Sequence, residues 1–242
     1  MRVGLIADIH GNHVGLEAAL SDLGRRGTDR LVCLGDVAAL GPQPREVLAT
    51  LKDLDCDFVM GNADAFVLDP SDARPEDPDM AKIHDIDVWV AQQLTEGHID
   101  LMRTFKPTVA LRIEDVELLG FHGSPASYDE AVHGWSSPED LDRAIEGRTE
   151  VVLAGGHTHF QFVRRHRGAT WINPGSVGLA YDPAWPLAEA RNAPFAEYAI
   201  VDVTDGILAV ETYRVPYDRR RVVEAVLASG MPHRDWWADQ WR

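Results

Sequence analysis

Short apolar runs alternate with longer amphipathic stretches along the first sixty residues. The run Val3–Ala7 is bounded by polar residues, which is typical of a buried strand. In residues 13–26 apolar side chains recur at helical spacing, and Gly27 marks the end of this predicted helix. The alternation continues with a strand over 31–34, a helix over 44–54 and a strand over 58–60. A β-α-β-α-β order of this kind predicts a parallel sheet.

The next part of the chain changes in composition. Residues 67–79 carry three prolines and four aspartates, which predicts a surface loop, and helical segments are expected near 81–104. We interpret 67–104 as a loop and helical insertion. No internal repeat and no domain boundary is evident, so residues 1–242 are interpreted as a single domain.

The second half combines strand patterns with two helical patterns. The stretch "TVALRIEDVELLGFHG" predicts two strands around a Glu114–Asp115 turn. Ser137 before Pro138 is a typical N-cap and predicts a helix to about Glu146. Residues 161–214 turn repeatedly, as antiparallel strands do, and a last amphipathic helix carries Val222, Val223, Val226 and Leu227.

Tryptophans are concentrated in the final segment, 230–242, which ends in "DWWADQWR". Three interpretations stay open for this Trp-rich tail: packing against the body of the chain, docking on a second subunit of a homo-oligomer, or a frayed end. The density of large apolar rings favours packing.

The net charge of the chain restricts the class of ligand that it can bind. Among 242 residues, 23 are Lys or Arg and 39 are Asp or Glu, which gives a formal net charge of −16. A chain this acidic has no electrostatic footprint for a long nucleic acid. It can bind a small phosphorylated substrate if bound cations reverse the local field.

Cysteine content and hydropathy indicate a reducing compartment. Only Cys33 and Cys56 occur, each in an apolar run, which predicts free thiols rather than a disulfide framework. The apolar stretch at the amino terminus is too short for a signal peptide, and no run reaches the length of a membrane span. We therefore expect a cytoplasmic protein with no membrane partner.

Metal-ligand residue types follow five of the predicted strands. Taken singly, each has an ordinary interpretation as a helix cap, a turn residue or a core histidine. In an open α/β sheet, however, the carboxyl ends of the strands meet at one edge, so these residues can converge on a metal. If the backbone of 157–159 is extended, His157 and His159 project to the same face and towards one point. The candidate ligands are Asp8, His10, Asp36, Asn62, His122, His157 and His159.

The order Asp-x-His, Gly-Asp, Gly-Asn, His, Gly-His-x-His resembles the calcineurin-like metallophosphoesterases. The segments "GDVAALGPQP", "FHGSP", "GGHTHFQ" and "INPGSVG" are similar to the small prokaryotic branch of that superfamily. The resemblance runs over most of the chain. It implies an α/β fold, a four-layer α/β/β/α sandwich, with a two-metal site.

The resemblance also implies which residues hold each ion. Asp8, His10, Asp36 and His159 would bind the first ion, Asp36, Asn62, His122 and His157 the second, and Asp36 would bridge the two. Carboxylate, imidazole and amide donors without a thiolate suit Mn, Fe or Zn.

A two-metal centre of this kind predicts a phosphatase or phosphodiesterase. Two ions lower the pKa of a bridging water, and the resulting hydroxide would attack a small phosphate ester or nucleoside polyphosphate. We interpret Asp36, Asn62 and His122 as the candidate catalytic residues. The alternatives are a protein phosphatase and a catalytically weak, metal-bearing regulatory protein.

Three further residues are candidate substrate contacts. Asn12 follows His10 and Gly11, and Asn173 and Ser176 belong to an Asn-Pro-Gly-Ser segment that would form a second wall of the site. A tight turn without substrate contact explains each of these segments equally well.

The third motif departs from the superfamily pattern. The pattern has Gly-Asn-His followed by an acid, and that histidine is the expected proton donor to the leaving group; here Ala63 stands in its place. The adjacent Asp64 then has no histidine to orient. A missing general acid slows poor leaving groups most, so the sequence favours activated esters or phosphoanhydrides. His13 and His133 are alternative donors.

Overall fold

The computed structural model describes residues 1–145, 147–182 and 191–241. The strands are Arg2–Ile6 (β1), Arg30–Cys33 (β2), Cys56–Phe58 (β3), Val109–Ile113 (β4), Val116–Gly120 (β5), Val152–Ala154 (β6), Phe162–His166 (β7), Ala169–Asn173 (β8), Tyr181–Asp182 (β9), Arg191–Asn192 (β10), Phe195–Thr204 (β11) and Ile207–Pro216 (β12). The helices are His13–Arg26 (α1), Pro44–Lys52 (α2), Asn62–Leu68 (α3), Pro78–Gln93 (α4), Glu96–Met102 (α5), Pro138–Ala144 (α6), Arg219–Ala228 (α7) and Arg234–Asp239 (α8).

Two five-stranded mixed sheets organise the chain. The first has the order β12-β11-β1-β2-β3, with β1, β2 and β3 parallel and β11 antiparallel to β1. The second has the order β4-β5-β6-β8-β7, with β5, β6 and β8 parallel. The three parallel strands of each sheet therefore carry their ligand residues towards one edge of that sheet.

The sheets pack face to face, and helices cover their outer faces. Alternation along β1 illustrates the layering: Leu5 lies in the core between the sheets, and Ile6 lies in the core beneath the helices. The outer face of the second sheet packs Trp171 against Leu141 of α6. This is the four-layer α/β/β/α arrangement that the resemblance implied.

Most predicted elements are present with small changes in their ends. The β-α-β-α-β start is confirmed, although β3 covers 56–58 rather than 58–60. The predicted loop 67–79 is shorter, because α3 extends through Leu68 and α4 begins at Pro78. Helix α3 itself was not predicted, since its seven residues are too few to show a helical period.

The prediction of antiparallel strands over 161–214 is wrong in one respect. Strand β8 is antiparallel to β7 but pairs in parallel with β6, because the β7–β8 hairpin returns the chain to the middle of the second sheet. Residues 183–190 of that range lie outside the described residues. So do Glu146, near the expected end of α6, and Arg242 of the Trp-rich tail.

The Trp-rich tail packs against the body of the chain. Trp237 and Trp241 are buried in the core beneath the first sheet, and Trp236 packs at its edge. Cys33 and Cys56 are free thiols, as predicted. Within the described residues, no helix combines the length and apolar character that a membrane span requires.

Close backbone approach fixes the loops that follow β1 and β2. A β-carbon on Gly41 would lie against the carbonyl oxygen of His10 and the backbone of Gly11. Gly11 has φ +56°, and its own absent β-carbon faces the backbone of Gly41. The two loops therefore touch where only glycine fits.

We predict that Gly41→Ala destabilises the protein and weakens metal binding. The added methyl group forces the backbone at His10 to move, and such overpacking typically costs about 1–3 kcal/mol. Thermal unfolding and metal titration measure the two effects. Gly24→Ala in α1 is the matched control: open space surrounds that position, and the change should stabilise the helix by about 0.5–1 kcal/mol. Equal stability of Gly41→Ala and wild type would contradict this account.

Candidate metal centre

Candidate ligands stand just beyond strand ends, and five of them have left-handed backbone. The non-glycine residues with positive φ include Asp8 (53°), His10 (47°), Asp36 (55°), His157 (69°) and His159 (58°). This conformation costs roughly 1–2 kcal/mol per residue relative to the right-handed region. Such strain clusters where surrounding structure holds functional side chains in place.

The left-handed backbone corrects the expectation for His157 and His159. Strand β6 ends at Ala154, so residues 157–159 are not extended and the two rings do not meet at one point. His159 joins Asp8 and His10, whereas His157 joins Asp36 and His122. The chain thus serves two neighbouring clusters with one short loop.

The first cluster consists of Asp8, His10 and His159. Nε2 of His10 lies 3.1 Å from Nε2 of His159, which lies 3.5 Å from Oδ1 of Asp8. Nδ1 of His159 is 3.0 Å from the carbonyl oxygen of Leu179. If Nδ1 donates this hydrogen bond, the lone pair of Nε2 is directed into the cluster.

The second cluster consists of Asp36, His122 and His157, with Asn62 beside it. Oδ1 of Asn62 lies 3.1 Å from Nε2 of His122 and 3.0 Å from Nδ1 of His157. Nδ1 of His122 is 2.7 Å from the carbonyl oxygen of Leu34, which fixes the ring as Leu179 fixes His159. All the side chains that the sequence predicted as ligands therefore lie in these two clusters or beside them.

Asp36 lies between the clusters. Its Oδ2 is 3.3 Å from Nε2 of His122 and 3.6 Å from Nε2 of His10, and its Oδ1 accepts a hydrogen bond from the Ala63 amide at 2.9 Å. The carboxylate thus has one oxygen held by backbone and the other directed at both imidazole groups. This is the position that a bridging ligand needs.

Charge and burial set the protonation of the imidazoles. Burial lowers the pKa of His10 to about 4, so this ring is neutral near pH 7. Burial alone would also lower the pKa of His122, but the adjacent Asp36 carboxylate outweighs it and raises the pKa to about 10. Without a cation in the centre, His122 carries the positive charge that balances Asp36.

The donor set fits transition-metal ions. Two imidazole nitrogens on one such ion, each about 2.1 Å from it, lie about 3.0–3.4 Å apart in octahedral or tetrahedral geometry. The 3.1 Å between His10 and His159 falls in that range. Facing nitrogens need either a shared proton or a common cation, and the carboxylates around them favour the cation.

Asp64 has partners although Ala63 replaces the histidine. It is completely buried, and its oxygens accept hydrogen bonds from the amides of Asp36 (2.7 Å), Val37 (2.8 Å) and Gly61 (3.2 Å). Asp64 therefore ties the start of α3 to the loop that carries Asp36. Sequence reasoning missed this role because two of the three backbone donors, Asp36 and Val37, are remote in sequence.

The three predicted substrate contacts are buried and hydrogen-bonded within the scaffold. Asn12 caps α1 by accepting from the Gly15 amide at 2.9 Å and donates to the Gly178 carbonyl. Asn173 donates to the Gly156 carbonyl at 2.7 Å, and Ser176 donates to the Asp8 carbonyl at 2.6 Å. None of the three lines the cleft into which the two clusters open. Their geometry favours the tight-turn interpretation, in which they position the ligand loops.

Both clusters open into a cleft of about 590 Å³. One wall is apolar and comes from the loop after β2 and from the region of α3 and α4: Leu40, Ala63, Phe66, Ala73, Pro75, Met80 and Ile83. Its polar lining includes His84, Asp87, Asp129 and Tyr181 together with the ligands. Neither His13, which contacts Thr50, nor His133, which stacks on Trp135, lines this cleft.

We predict that Asp36→Asn weakens metal binding in both clusters. Asparagine still accepts from the Ala63 amide, so the fold is retained, but the neutral group loses its attraction for cations on either side. Bound ions should be held at least about tenfold more weakly. Elemental analysis and metal titration test this, with Asp129→Asn on the cleft wall as the control. Unchanged metal content and affinity in Asp36→Asn would contradict the bridging position.

Metal binding should also release protons at pH 7. A His122 with a pKa of about 10 is protonated in the metal-free protein and must lose that proton to act as a ligand. Apparent metal affinity should therefore rise with pH through the neutral range. Calorimetry in buffers of different ionisation enthalpy counts the protons. His122→Asn should release fewer, and an equal count in both proteins would show that His122 is not the source.

Comparison with known proteins agrees with this geometry. A sequence model of the calcineurin-like phosphoesterase superfamily domain matches residues 1–206. An uncharacterised protein of Methanocaldococcus jannaschii is 24% identical over 237 residues, which cover 95% of this chain and 93% of that protein.

Two solved structures have a similar fold. A metallophosphoesterase from Sphaerobacter thermophilus has a TM-score of 0.77 at 24% identity, covering 100% of this chain and 98% of its own. A hypothetical protein from Pyrococcus horikoshii OT3 has a TM-score of 0.81 at 21% identity, covering 98% and 96%. With a family match over residues 1–206, the chain belongs to the calcineurin-like phosphoesterase superfamily.

Proposed function

We propose that this protein is a metal-dependent phosphoesterase that hydrolyses a small phosphate ester or phosphoanhydride at a dinuclear centre. The observation that carries the proposal is the pair of ligand clusters with Asp36 between them, at the base of one cleft. Asp8, His10, Asp36 and His159 would hold one ion, and Asp36, Asn62, His122 and His157 the other. The donor types suit Mn, Fe or Zn.

When bound, the ions supply water activation and neutralise the charge of the phosphoryl group. The protein's own residues set where the ligand atoms lie. Asp36 sets the spacing of the two clusters, and the backbone carbonyls of Leu34 and Leu179 orient the rings of His122 and His159. Asn62 contributes a neutral oxygen beside the second cluster.

The cleft favours a substrate that relies on cations for phosphate binding. Its lining, among the described residues, includes no lysine or arginine. A phosphate in this site would meet the carboxyl groups of Asp36, Asp87 and Asp129, and no lysine or arginine of the lining would balance its charge. Substrate affinity as well as turnover should therefore require the metal ions.

The alternatives are less well supported by the shape of the site. A protein phosphatase needs room for a peptide, whereas Phe66, Pro75 and Met80 form an apolar wall beside the clusters. A purely regulatory protein does not need the left-handed ligand loops or the central carboxylate that both clusters share. A small ester bound in this cleft uses all of these features.

We predict metal-dependent hydrolysis of an aryl phosphate ester that chelation abolishes. His122→Ala and His157→Ala should lower kcat/KM by at least about 100-fold, because each removes a ligand of the second cluster. His13→Ala is the control, since its ring contacts Thr50 of α2 and does not line the cleft. Circular dichroism and metal analysis establish that the variants are folded and report their ion content.

Substrate binding gives a second readout. A slowly hydrolysed phosphate analogue should bind the metal-loaded protein and bind the chelated protein at least about tenfold more weakly. Full activity after verified metal removal, or equal analogue affinity in both forms, would refute the proposal.

A further inference from the structure

The cleft has no imidazole at the position where the superfamily pattern places one. Ala63 lines the cleft, is 7% exposed and uses its amide to hold Asp36. A poor leaving group still needs a proton as its bond to phosphorus breaks. Any side chain that supplies the proton must line the same cleft and have a donor that the fold has not already engaged.

Most polar residues of the cleft do not meet these conditions. Nε2 of His84 lies 2.8 Å from the Ser71 carbonyl oxygen, and a neutral ring that donates there has only an acceptor at Nδ1, which has no hydrogen-bond partner within the described residues. Asp129 is exposed at the rim. The ring of Tyr181 stacks on His159, and burial raises the pKa of its phenol, which makes it a weak acid.

Asp87 meets the conditions. It lies on the inward face of α4, between Ile83 and Val90, and is 7% exposed. Its Oδ1 accepts a hydrogen bond from the Leu40 amide at 2.8 Å. Its Oδ2 accepts no hydrogen bond from any residue within the described ranges, and the side chain lines the cleft beside the metal ligands.

The surroundings of Asp87 keep its carboxyl group protonated. Burial, together with the negative charges of Asp36 and Asp64, raises its pKa to about 8, against the lowering effect of the Leu40 hydrogen bond. The other titratable side chains that line the cleft are those of His10, His84, Asp129, His157, His159 and Tyr181, and the described lining includes no lysine or arginine. Bound metal ions would oppose this shift, whereas burial, its largest cause, would remain.

Apolar side chains line the same cleft as this carboxyl group. They include Leu40, whose amide contacts Asp87, and Phe66, Met80 and Ile83; Met80 is 50% exposed. Such a wall is suited to the carbon skeleton of an alkyl or aryl group and excludes water from the carboxyl group. A neutral carboxylic acid in an apolar site is a competent hydrogen-bond and proton donor.

We propose that Asp87 is the proton donor to the leaving group and that the apolar wall beside it binds the leaving group's carbon skeleton. The proposal rests on the proposed phosphoesterase function. The P–O bond to the leaving group breaks, its electron pair stays on that oxygen, and the Asp87 proton moves to it to give the free alcohol. Water supplies the new oxygen on phosphorus and releases a proton, and Asp87 regains one from solvent.

The decisive variant is Asp87→Asn. The amide oxygen still accepts from the Leu40 amide, so the contact with α4 is kept, but the group cannot release a proton at neutral pH. With alkyl phosphate esters, kcat/KM should fall about 10²–10⁴-fold, whereas esters of good aryl leaving groups should change little. Asp79→Asn is the matched control, because Asp79 lies on the same helix, is exposed and does not line the cleft. If Asp87→Asn does not fold, Asp87→Ser keeps a hydroxyl acceptor and is measured instead.

The pH profile separates proton donation from a structural role. Because the donor must be protonated, wild-type activity on alkyl esters should fall as pH rises through the pKa of Asp87. This descending limb should be absent in Asp87→Asn. Infrared difference spectra of wild type minus Asp87→Asn, metal-free and metal-loaded, should show a protonated carboxyl band at neutral pH.

A second substitution tests whether a proton donor at position 63 can replace Asp87. Adding Ala63→His to Asp87→Asn places an imidazole in the cleft and should restore part of the lost activity on alkyl esters alone. From Ala63 alone, the sequence predicts a steep dependence on the leaving group in wild type. If Asp87 is the donor, kcat/KM should depend steeply on the leaving group in Asp87→Asn and only weakly in wild type.

The outcomes distinguish this proposal from the function on which it rests. If aryl esters are hydrolysed with metal but the alkyl-to-aryl ratio is equal in wild type and Asp87→Asn, the proton donor is another group. The same conclusion follows if Tyr181→Phe, and not Asp87→Asn, selectively slows alkyl esters. If no ester of either kind is hydrolysed with any of the three metals, the phosphoesterase function itself fails.

Discussion

Backbone hydrogen bonds between the ligand loops hold the whole centre together. The Asp8 amide donates to the Gly35 carbonyl and the His10 amide to the Asp36 carbonyl, both at 3.0 Å. The Gly156 amide donates to the His122 carbonyl at 2.8 Å, and the His157 amide donates to the Asp8 carboxylate. Each loop thus fixes another, and this mutual support maintains left-handed backbone at five ligand residues.

Several buried carboxyl groups lie in this arrangement, and each needs a proton or a positively charged partner. Asp8, Asp36, Asp64 and Asp87 all lie at or below 7% exposure near the same edge of the sheets. Their neighbours are imidazoles and backbone amides rather than lysine or arginine. Desolvated negative charge must be protonated or paired with a cation. The centre can meet this requirement in two ways, by metal at the clusters and by a proton at Asp87.

The sequence predicted what depends on local pattern and strand order. The ligand residues could be found because the carboxyl ends of parallel strands meet, wherever they lie in the chain. Long-range contacts could not be found: Asp87 meets the amide of Leu40, 47 residues away, and Asn173 supports the loop of Gly156. The one available signal for Asp87 was an acid at an inward position of an amphipathic helix. The backbone of His157 and His159 was mispredicted because periodicity assumes regular structure.

The retained Asp64 explains how the histidine position could change without loss of the fold. The carboxylate oxygens of Asp64 accept hydrogen bonds from the amides of Asp36, Val37 and Gly61. This structural role does not depend on the side chain at position 63. Ala63 in turn holds Asp36 through its backbone amide, which any non-proline residue provides. The scaffold therefore constrains the backbone at position 63 but not the identity of its side chain. A proton donor can then come from another wall of the cleft, and α4 presents Asp87 on such a wall.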